Sequence, residues 1–166
     1  QSVRDPRVKI IKNSENIGIF GNLNRCITAT QGDWIQVFCQ DDIMSSGYLL
    51  AHVKLLQKYP EAGLVYGTPG VIDENSRPLE TSAQEDDTPE LISKSLYAWI
   101  ASHFGALPPS LSSIMFPRRT IDVIGLFNPA YRVAGDLEFY HRVGERYPIL
   151  RDRQVLHFIR SHLGMT

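Results

Sequence analysis

Short apolar runs alternate with amphipathic segments along the first half of the chain. Residues 8–11, 34–39 and 63–67 are rich in β-branched and aromatic side chains, which predicts strands. Residues 22–30 and 47–59 repeat apolar positions at helical spacing, which predicts helices. The order of these elements indicates an α/β fold with a parallel sheet. Because 34–39 is almost continuously apolar, we expect it to be the central strand, buried on both faces, with 8–11 and 63–67 as parallel neighbours.

The second half of the chain has a less regular pattern. A helix-start signal, Thr88-Pro89-Glu90, is followed by several short apolar runs. In chain order, the elements predicted here are a turn at 74–78, a polar loop at 80–87, a helix at 89–102, a strand at 113–116, a short helix at 120–124, a helix at 135–146 and a last strand at 155–159. No internal repeat interrupts this order, so the pattern predicts one domain.

The composition is that of a soluble globular domain without a strong charge bias. Of the 166 residues, 43% are hydrophobic and 21% are charged, and the formal net charge is -1. So small a charge gives no general attraction for nucleic acid, and we predict no nucleic-acid partner. Cys26 and Cys39 lack the spacing of metal ligands, which favours a reduced, cytoplasmic protein. No apolar run approaches the ~20 residues of a membrane span, so we expect any membrane association to come from a longer parent protein.

Two adjacent carboxylates, Asp41 and Asp42, follow the strand predicted at 34–39. In an open parallel sheet, ligands gather beyond the carboxyl ends of the strands. Neighbouring carboxylates repel each other unless a cation or hydrogen-bond donors offset their charge. Mg²⁺ is commonly held by one or two carboxylates together with phosphate oxygens. The dipeptide alone favours a simpler interpretation, in which the aspartates turn the chain and cap the following helix.

A series of motifs around these aspartates resembles a segment of family-2 glycosyltransferases. The motifs are Asn16-Ile17-Gly18, Asn22 with Asn24, Ala29-Thr30-Gln31-Gly32-Asp33-Trp34-Ile35 and Gln40-Asp41-Asp42. The resemblance continues through Ser113-Ile114-Met115-Phe116, Ile124-Gly125-Leu126-Phe127, Gly135-Asp136-Leu137-Glu138-Phe139-Tyr140-His141-Arg142 and Ile159-Arg160-Ser161-His162. Each motif is weak alone, but their order and spacing are specific, and together they cover nearly the whole chain.

The resemblance implies a three-layer α/β sandwich of the GT-A type, the fold of nucleotide-diphospho-sugar transferases, with a mostly parallel central sheet. It implies a single domain over 1–166 that is incomplete at its N-terminus, because the family's first strand-helix-strand unit has no counterpart here. Residues 1–70 would be the remainder of the nucleotide-sugar-binding half, and 71–166 the acceptor-side half. We expect an exposed apolar surface where the first unit would pack, covered by a second copy in a homodimer.

The same resemblance assigns roles to individual side chains. Asp136 would be the general base that takes the proton from the acceptor hydroxyl. Asp41 and Asp42 would hold Mg²⁺ or Mn²⁺. Cys39 occupies the family's first acidic position, and we interpret it as a packing residue. The side chains expected to contact the nucleotide-diphosphate donor are Asn16, Asn24, Asp41, Arg160 and His162.

Simpler structural roles remain open for several of these residues. Asp136 is also placed to begin a helix and to accept backbone N–H bonds there. Arg160 and His162 alternate along the last strand, which equally suits a solvated edge. Glu138 and Arg142 lie four residues apart, as in an ordinary ion pair on a helix surface, with Glu138 as an alternative contact to the acceptor. The other charged side chains on helices or in polar stretches that we predict at the surface are His52, His141, Arg118 and Arg119.

The implied reaction is transfer of a sugar from a nucleotide-diphosphate donor to an acceptor hydroxyl, with inversion at the anomeric carbon. The acceptor would be a sugar, a lipid-linked molecule or a polysaccharide. Two other functions remain open: a sugar nucleotidyltransferase, and a non-catalytic interaction domain that retains the fold. The motif around Asp136 argues against the first. Cys39 and the lack of the first unit keep the second open.

Overall fold

One mixed β-sheet contains all the strands in the described part of the chain. The computed structural model describes residues 5–79, 86–105 and 107–161. The helices are α1 (Gly18–Ala29), α2 (Tyr48–Lys58), α3 (Lys94–Phe104), α4 (Arg118–Ile124) and α5 (Gly135–Arg146). The strands are β1 (Trp34–Gln36), β2 (Ile43–Met44), β3 (Leu64–Ile72), β4 (Glu90–Ile92), β5 (Ile114–Pro117) and β6 (Ile149–Arg160). A 3₁₀ turn at Leu111–Ser113 leads into β5.

The strand order is β1-β5-β3-β6-β2, and β4 also pairs with β6. Among the described strands only β3 and β6 run parallel, and the pairs β1/β5, β3/β5, β2/β6 and β4/β6 are antiparallel. The expectation of a mostly parallel sheet is therefore wrong for this part of the chain. An apolar run that is buried on both faces predicts a position inside the fold, but it carries no information on strand direction.

The strand that we expected at the centre of the sheet, 34–39, lies at the end of the described strand order. Among the described strands, its paired part, β1, pairs only with β5, with Ile35 opposite Phe116 in an antiparallel register. Residues 8–11 form no strand, and Ile10 is 84% exposed. The prediction of a central strand between two parallel neighbours is therefore wrong. The predicted third strand is confirmed as the longer β3, and it takes the central place between β5 and β6.

The helices follow the sequence pattern closely, apart from α3. The helix predicted at 89–102 divides into β4, which pairs with β6, and α3. Ser93 is the N-cap of α3, and its Oγ accepts a hydrogen bond from the N–H of Leu96 at 3.2 Å. The predicted helix start at Pro89 is wrong because pairing with β6 holds the next residues extended. The strand predicted at 155–159 is confirmed within the longer β6.

Helices cover both faces of the sheet. The side chains of β3 alternate between two apolar clusters, as a strand with period two requires. Leu64 and Tyr66 belong to the larger cluster, together with side chains of α1, α3 and α5. Val65 belongs to the smaller cluster, to which α2 contributes Leu56. Leu56 of α2 therefore packs on the face of the sheet opposite to the face that α1, α3 and α5 cover.

Several large apolar side chains in the first part of the chain are exposed. The exposed ones before β2 are Val8, Ile10, Ile17, Ile19 and Phe38. In a monomer, a large contiguous apolar surface is uncommon and marks a contact region. Its cover by a second copy of the chain stays a prediction.

His52, which we predicted at the surface, is completely buried between α2 and the sheet. Its Nε2 lies 3.4 Å from Oδ2 of Asp152, and the Tyr48 ring packs against the rings of His52 and His157. Neither imidazole has a hydrogen-bond partner in the described residues. The pKa of His157 is lowered to about 4, mainly by burial and then by His52, while Asp42 and Asp152 act in the opposite direction. His157 is therefore neutral near pH 7.

Candidate functional site

Asp41 and Asp42 lie between β1 and β2 and connect the two ends of the sheet. β2 pairs with the end of β6, where Ile43 lies opposite Phe158. This pairing places Asp42 beside Arg160, whose backbone N–H donates to Asp42 Oδ1 at 3.1 Å. Asp41 is exposed and Asp42 is half-buried. Three of the residues selected from the sequence, on two distant segments, are therefore neighbours in the fold.

The side chain of Arg160 links Asp41-Asp42, which we call the acidic segment, to the turn that follows β3. Its Nε donates to the backbone oxygen of Asp41 at 3.0 Å. Its Nη1 donates to the backbone oxygens of Asp73 and Glu74, at 2.8 and 3.2 Å, and to Ser76 Oγ at 3.0 Å. Arg160 therefore holds two loops in place, a structural role that the sequence did not indicate. A contact between Arg160 and the donor diphosphate stays a prediction.

Cys39, which we interpreted as a packing residue, is an exposed free cysteine. Its backbone N–H donates to Oγ of Ser112 at 3.0 Å. The backbone oxygen of Ser112 accepts a hydrogen bond from Gln36 Nε2 at 3.0 Å. These bonds fix the chain beyond β1 against the 3₁₀ turn, and they leave the thiol accessible just before the acidic segment.

Asp136 lies in the first turn of α5. It does not occupy the N-cap position, which belongs to Ala134, but its Oδ1 accepts a hydrogen bond from the N–H of Leu137 at 2.9 Å. Burial raises the pKa of Tyr140, and negative charge on Asp136 and then on Cys39 raises it further. Asp136 and Tyr140 lie four residues apart on α5, on the same face of the helix.

Gly135 allows α5 to begin in close contact with α1. A Cβ atom at this position would lie 2.4 Å from the ring of Phe20, which is far inside van der Waals contact. Phe20 is itself buried in the larger apolar cluster. The glycine before Asp136 is therefore required by packing, and this packing fixes where the first turn of α5 lies.

The amide of Asn24 is fully engaged inside the protein. Its Nδ2 donates to the backbone oxygen of Phe127 at 2.7 Å, and its Oδ1 accepts from the N–H of Phe127 at 3.0 Å. The pair of bonds ties α1 to the loop that leads from α4 to α5. The structure thus assigns Asn24 a role in positioning the segment before Asp136, and its contact with the donor stays a prediction.

Replacing Asn24 with Ala should destabilise the fold by about 1–3 kcal/mol, because both backbone groups of Phe127 lose their partner. The free energy of unfolding, measured by urea denaturation, checks this expectation. Asn75→Ala is a matched control, since Asn75 is exposed in a turn and its side chain makes no hydrogen bond within the described residues. Equal stability of the two variants would contradict the role of Asn24 in tying α1 to this loop.

Asn16 lines a cleft just before α1, and neither Asp41 nor Asp42 lines this cleft. Its Oδ1 accepts a hydrogen bond from the N–H of Gly18 at 2.9 Å. The cleft has a volume of about 460 Å³, and Tyr131 and Arg132 line its other side. Asn16 is therefore near the same loop that Asn24 holds. His162 lies outside the described residues, so its predicted role remains untested.

Glu138 and Arg142 form the ion pair that we expected, and it is more than a surface pair. Arg142 Nε and Nη2 donate to the two oxygens of Glu138 at 2.6 and 2.9 Å. The guanidinium also donates to the backbone oxygens of Ile124 and Leu126. Arg142 thus fastens the end of α4 to α5, and both Glu138 oxygens are occupied by it.

The residues that we predicted to hold a metal are Asp41 and Asp42. The described residues contain no group of three or more His, Cys, Asp or Glu side chains that could hold a metal ion. One oxygen of Asp42 is already bonded to the backbone of Arg160. Two carboxylates fit Mg²⁺ or Mn²⁺ where phosphate oxygens and water complete the coordination. The chemistry of the donor set therefore suits a metal that is bound together with a nucleotide diphosphate.

Tyr140 is a side chain at this site that we did not select from the sequence. Its ring is completely buried, and its hydroxyl has no hydrogen-bond partner in the described part of the chain. The position four residues after Asp136, on the same helix face, is the signal that was available. The buried His52, Asp152 and His157 were not recognisable in this way, because they come from distant segments.

In the described ranges, no helix is long and apolar enough to cross a membrane. Comparison with known proteins shows a distant relative of this chain. It is the "Uncharacterized protein y4gI" of Sinorhizobium fredii (strain NBRC 101917 / NGR234), 23% identical over 159 residues. The match covers 96% of this chain but 16% of the relative, so the chain spans a small part of that protein's length.

A family model described as "Glycosyl transferase family 2" matches residues 1–106. The matched region includes α1, the acidic segment after β1, β3 and α3. It extends over more than half of the chain. The chain therefore belongs to glycosyl transferase family 2.

Proposed function

We propose that this chain transfers a sugar from a nucleotide-diphosphate donor to an acceptor hydroxyl. The observation that supports this best is the position of Asp42 beside Arg160, whose backbone N–H donates to Asp42 Oδ1. The family match supports the same reaction class, since it covers the segment that contains Asp41 and Asp42. The chain covers 16% of its relative's length. The activity of the whole protein is therefore a proposal as well.

The proposed reaction is a single displacement with inversion. The acceptor oxygen attacks the anomeric carbon from the face opposite to the diphosphate, and a new carbon–oxygen bond forms. The bond to the diphosphate breaks, and its electron pair stays on the diphosphate oxygen. Asp136 takes the proton of the attacking hydroxyl. The bond from the Leu137 N–H to Oδ1 orients the carboxylate, and Oδ2 is the atom that would receive the proton.

Asp41 and Asp42 would hold Mg²⁺ or Mn²⁺ at the donor. When it is bound, the cation stabilises the negative charge that develops on the leaving diphosphate. The chain's contribution is to hold the carboxylate of Asp42 and the backbone of Asp41. The Arg160 backbone holds Asp42 Oδ1, and the Arg160 side chain holds the backbone of Asp41. A rigid acidic segment loses little conformational entropy when the donor binds.

The donor site is tested by isothermal titration calorimetry with UDP and Mn²⁺. We expect binding that needs the metal and that Asp42→Ala weakens by about 10–100-fold or more. Asp122→Ala is the matched control, because Asp122 is exposed on α4 and should leave the affinity unchanged. Equal affinity in the Asp42 and Asp122 variants would remove the metal role from Asp42.

The same titration separates the proposed enzyme from a non-catalytic domain that retains the fold. The non-catalytic function is supported by the exposed Cys39, which stands at the position of the family's first acidic residue. A non-catalytic domain would bind neither UDP nor Mn²⁺ with measurable heat. Metal-dependent UDP binding would therefore support the transferase.

A further inference from the structure

A side-chain hydroxyl takes the place of a backbone carbonyl where β1 leads into the acidic segment. Val37 continues the antiparallel register of β1 and β5, and its N–H donates to the backbone oxygen of Ile114 at 3.3 Å. In this register Cys39 comes opposite Ser112, where a regular ladder would join the Cys39 N–H to the Ser112 carbonyl. The Cys39 N–H donates instead to Oγ of Ser112, at 3.0 Å.

The carbonyl of Ser112 is already bonded to two other groups. It accepts hydrogen bonds from Nε2 of Gln36 at 3.0 Å and from the hydroxyl of Tyr48 at 3.4 Å. A carbonyl oxygen has two lone pairs, so these donors occupy both of them. They lie on β1 and on α2, and Ser112 is only 1% exposed. Ser112 is therefore held from two sides, and its hydroxyl is a rigid acceptor for Cys39.

The acidic segment lies between two anchors. On one side, Arg160 binds Oδ1 of Asp42 and the backbone oxygen of Asp41. On the other side, Cys39 is bonded to Ser112 two residues before Asp41. Arg160 makes several bonds, whereas the bond to Ser112 depends on one side-chain oxygen. Removal of that oxygen would leave the Cys39 N–H without its acceptor, and the chain before Asp41 would be free to move.

We propose that Ser112 is a positioning residue of the donor site, which sets the place of Asp41 and Asp42 through the backbone of Cys39. The proposal rests on the proposed function, because it takes the two carboxylates as the groups that hold Mg²⁺ or Mn²⁺. Groups that orient metal ligands from behind typically change metal affinity by about 10–100-fold. Ser112 acts through Cys39 and needs no contact of its own with the donor.

Ser113 provides a matched control within the same turn. It is also fully buried, and its Oγ donates to the backbone oxygen of Ser110 at 2.6 Å, inside the turn itself. Ser112→Ala and Ser113→Ala each remove one buried hydroxyl and one hydrogen bond, so we expect similar decreases in the thermal midpoint. Of the two changes, only Ser112→Ala releases the backbone of Cys39. A difference between the variants in donor binding therefore reports on position and not on stability.

Isothermal titration calorimetry with UDP at a series of Mn²⁺ concentrations tests the proposal. Ser112→Ala should raise the Mn²⁺ concentration for half-maximal UDP binding by about tenfold, and Ser113→Ala should leave it unchanged. Ser112→Ala should also weaken UDP binding less in the Asp42→Ala background than in the unchanged chain, because both changes act on the same metal ligand. Equal Mn²⁺ requirements in the two serine variants, or additive effects of Ser112→Ala and Asp42→Ala, would overturn the proposal.

Amide hydrogen exchange tests the anchor without any ligand. Ser112→Ala should speed the exchange of the amides at 39–42 severalfold, and Ser113→Ala should leave it unchanged. Unaltered exchange at 39–42 in Ser112→Ala would overturn the proposal. Failure of the unchanged chain to bind UDP with Mn²⁺ would contradict the proposed function, while the exchange would still decide whether Ser112 anchors the acidic segment.

Discussion

Asp136→Asn should lower the rate of sugar transfer by about 10²–10⁴-fold while UDP still binds in the presence of Mn²⁺. Asparagine has nearly the same shape and can still accept the hydrogen bond from the Leu137 N–H, so α5 should be retained. It carries no charge and cannot take a proton at neutral pH. The rate of UDP release with a saccharide acceptor measures the effect.

Asp122→Asn is the matched control for this experiment, since Asp122 is an exposed aspartate on α4. It should transfer sugar at the normal rate. A normal rate in Asp136→Asn would reduce Asp136 to a helix-end residue. Glu138 would be the next candidate, although both of its oxygens are bonded to Arg142 and it would have to break that pair first.

The free energy of unfolding should fall by up to about 3 kcal/mol between pH 6.5 and pH 4 through His157 alone. Burial lowers the folded-state pKa of His157 from 6.5 to about 4. In this window the unfolded chain binds a proton at His157 and the folded chain does not. Stability from this group is therefore complete above pH 6.5, is lost as the pH falls, and changes no further below pH 4.

Urea denaturation across this pH range measures the loss. His157→Gln should be less stable at pH 7, because it disturbs the packing against Tyr48, but its stability should depend less on pH. His103→Gln is the control, since His103 is exposed on α3 and should leave the pH dependence unchanged. A pH dependence in His157→Gln as steep as that of the unchanged chain would show that other groups are responsible.

Local patterns predicted the elements better than they predicted the sheet. The helices α2 and α5 lie where the apolar spacing indicates, because one amphipathic face against a core determines a helix. The prediction of strand direction and order was wrong at 34–39. Among the described strands β1 pairs only with β5, which comes from a segment far along the chain. The sequence contains no local signal for such a pairing. At 90–92, pairing with β6 likewise prevailed over a good helix-start signal.

The candidate site could be predicted only in part for the same reason. The motifs selected Asp41, Asp42 and Arg160, and the structure shows that β2 and β6 bring them together. The hydrogen bonds from Arg160 to the backbone of two loops could not be predicted. Every residue has a backbone oxygen, and the sequence does not show which of them accept a hydrogen bond. Tyr140 had a visible spacing from Asp136, but its buried hydroxyl depends on the surrounding fold.

The parallel pair at the middle of the sheet has a consequence for synthesis. β3 pairs with β6 from Leu64 opposite Ile149 to Ile72 opposite Arg160, so the centre of the sheet joins early and late parts of the chain. A pair so distant in sequence folds slowly, because a long loop must close first. On the ribosome, β3 would have both edges open until β5 emerges and one edge open until β6 emerges, and the acidic segment would gain its Arg160 anchor only then. A nascent chain that stalls before β6 exposes an apolar strand edge, and that is the stage at which we expect aggregation and a need for chaperones.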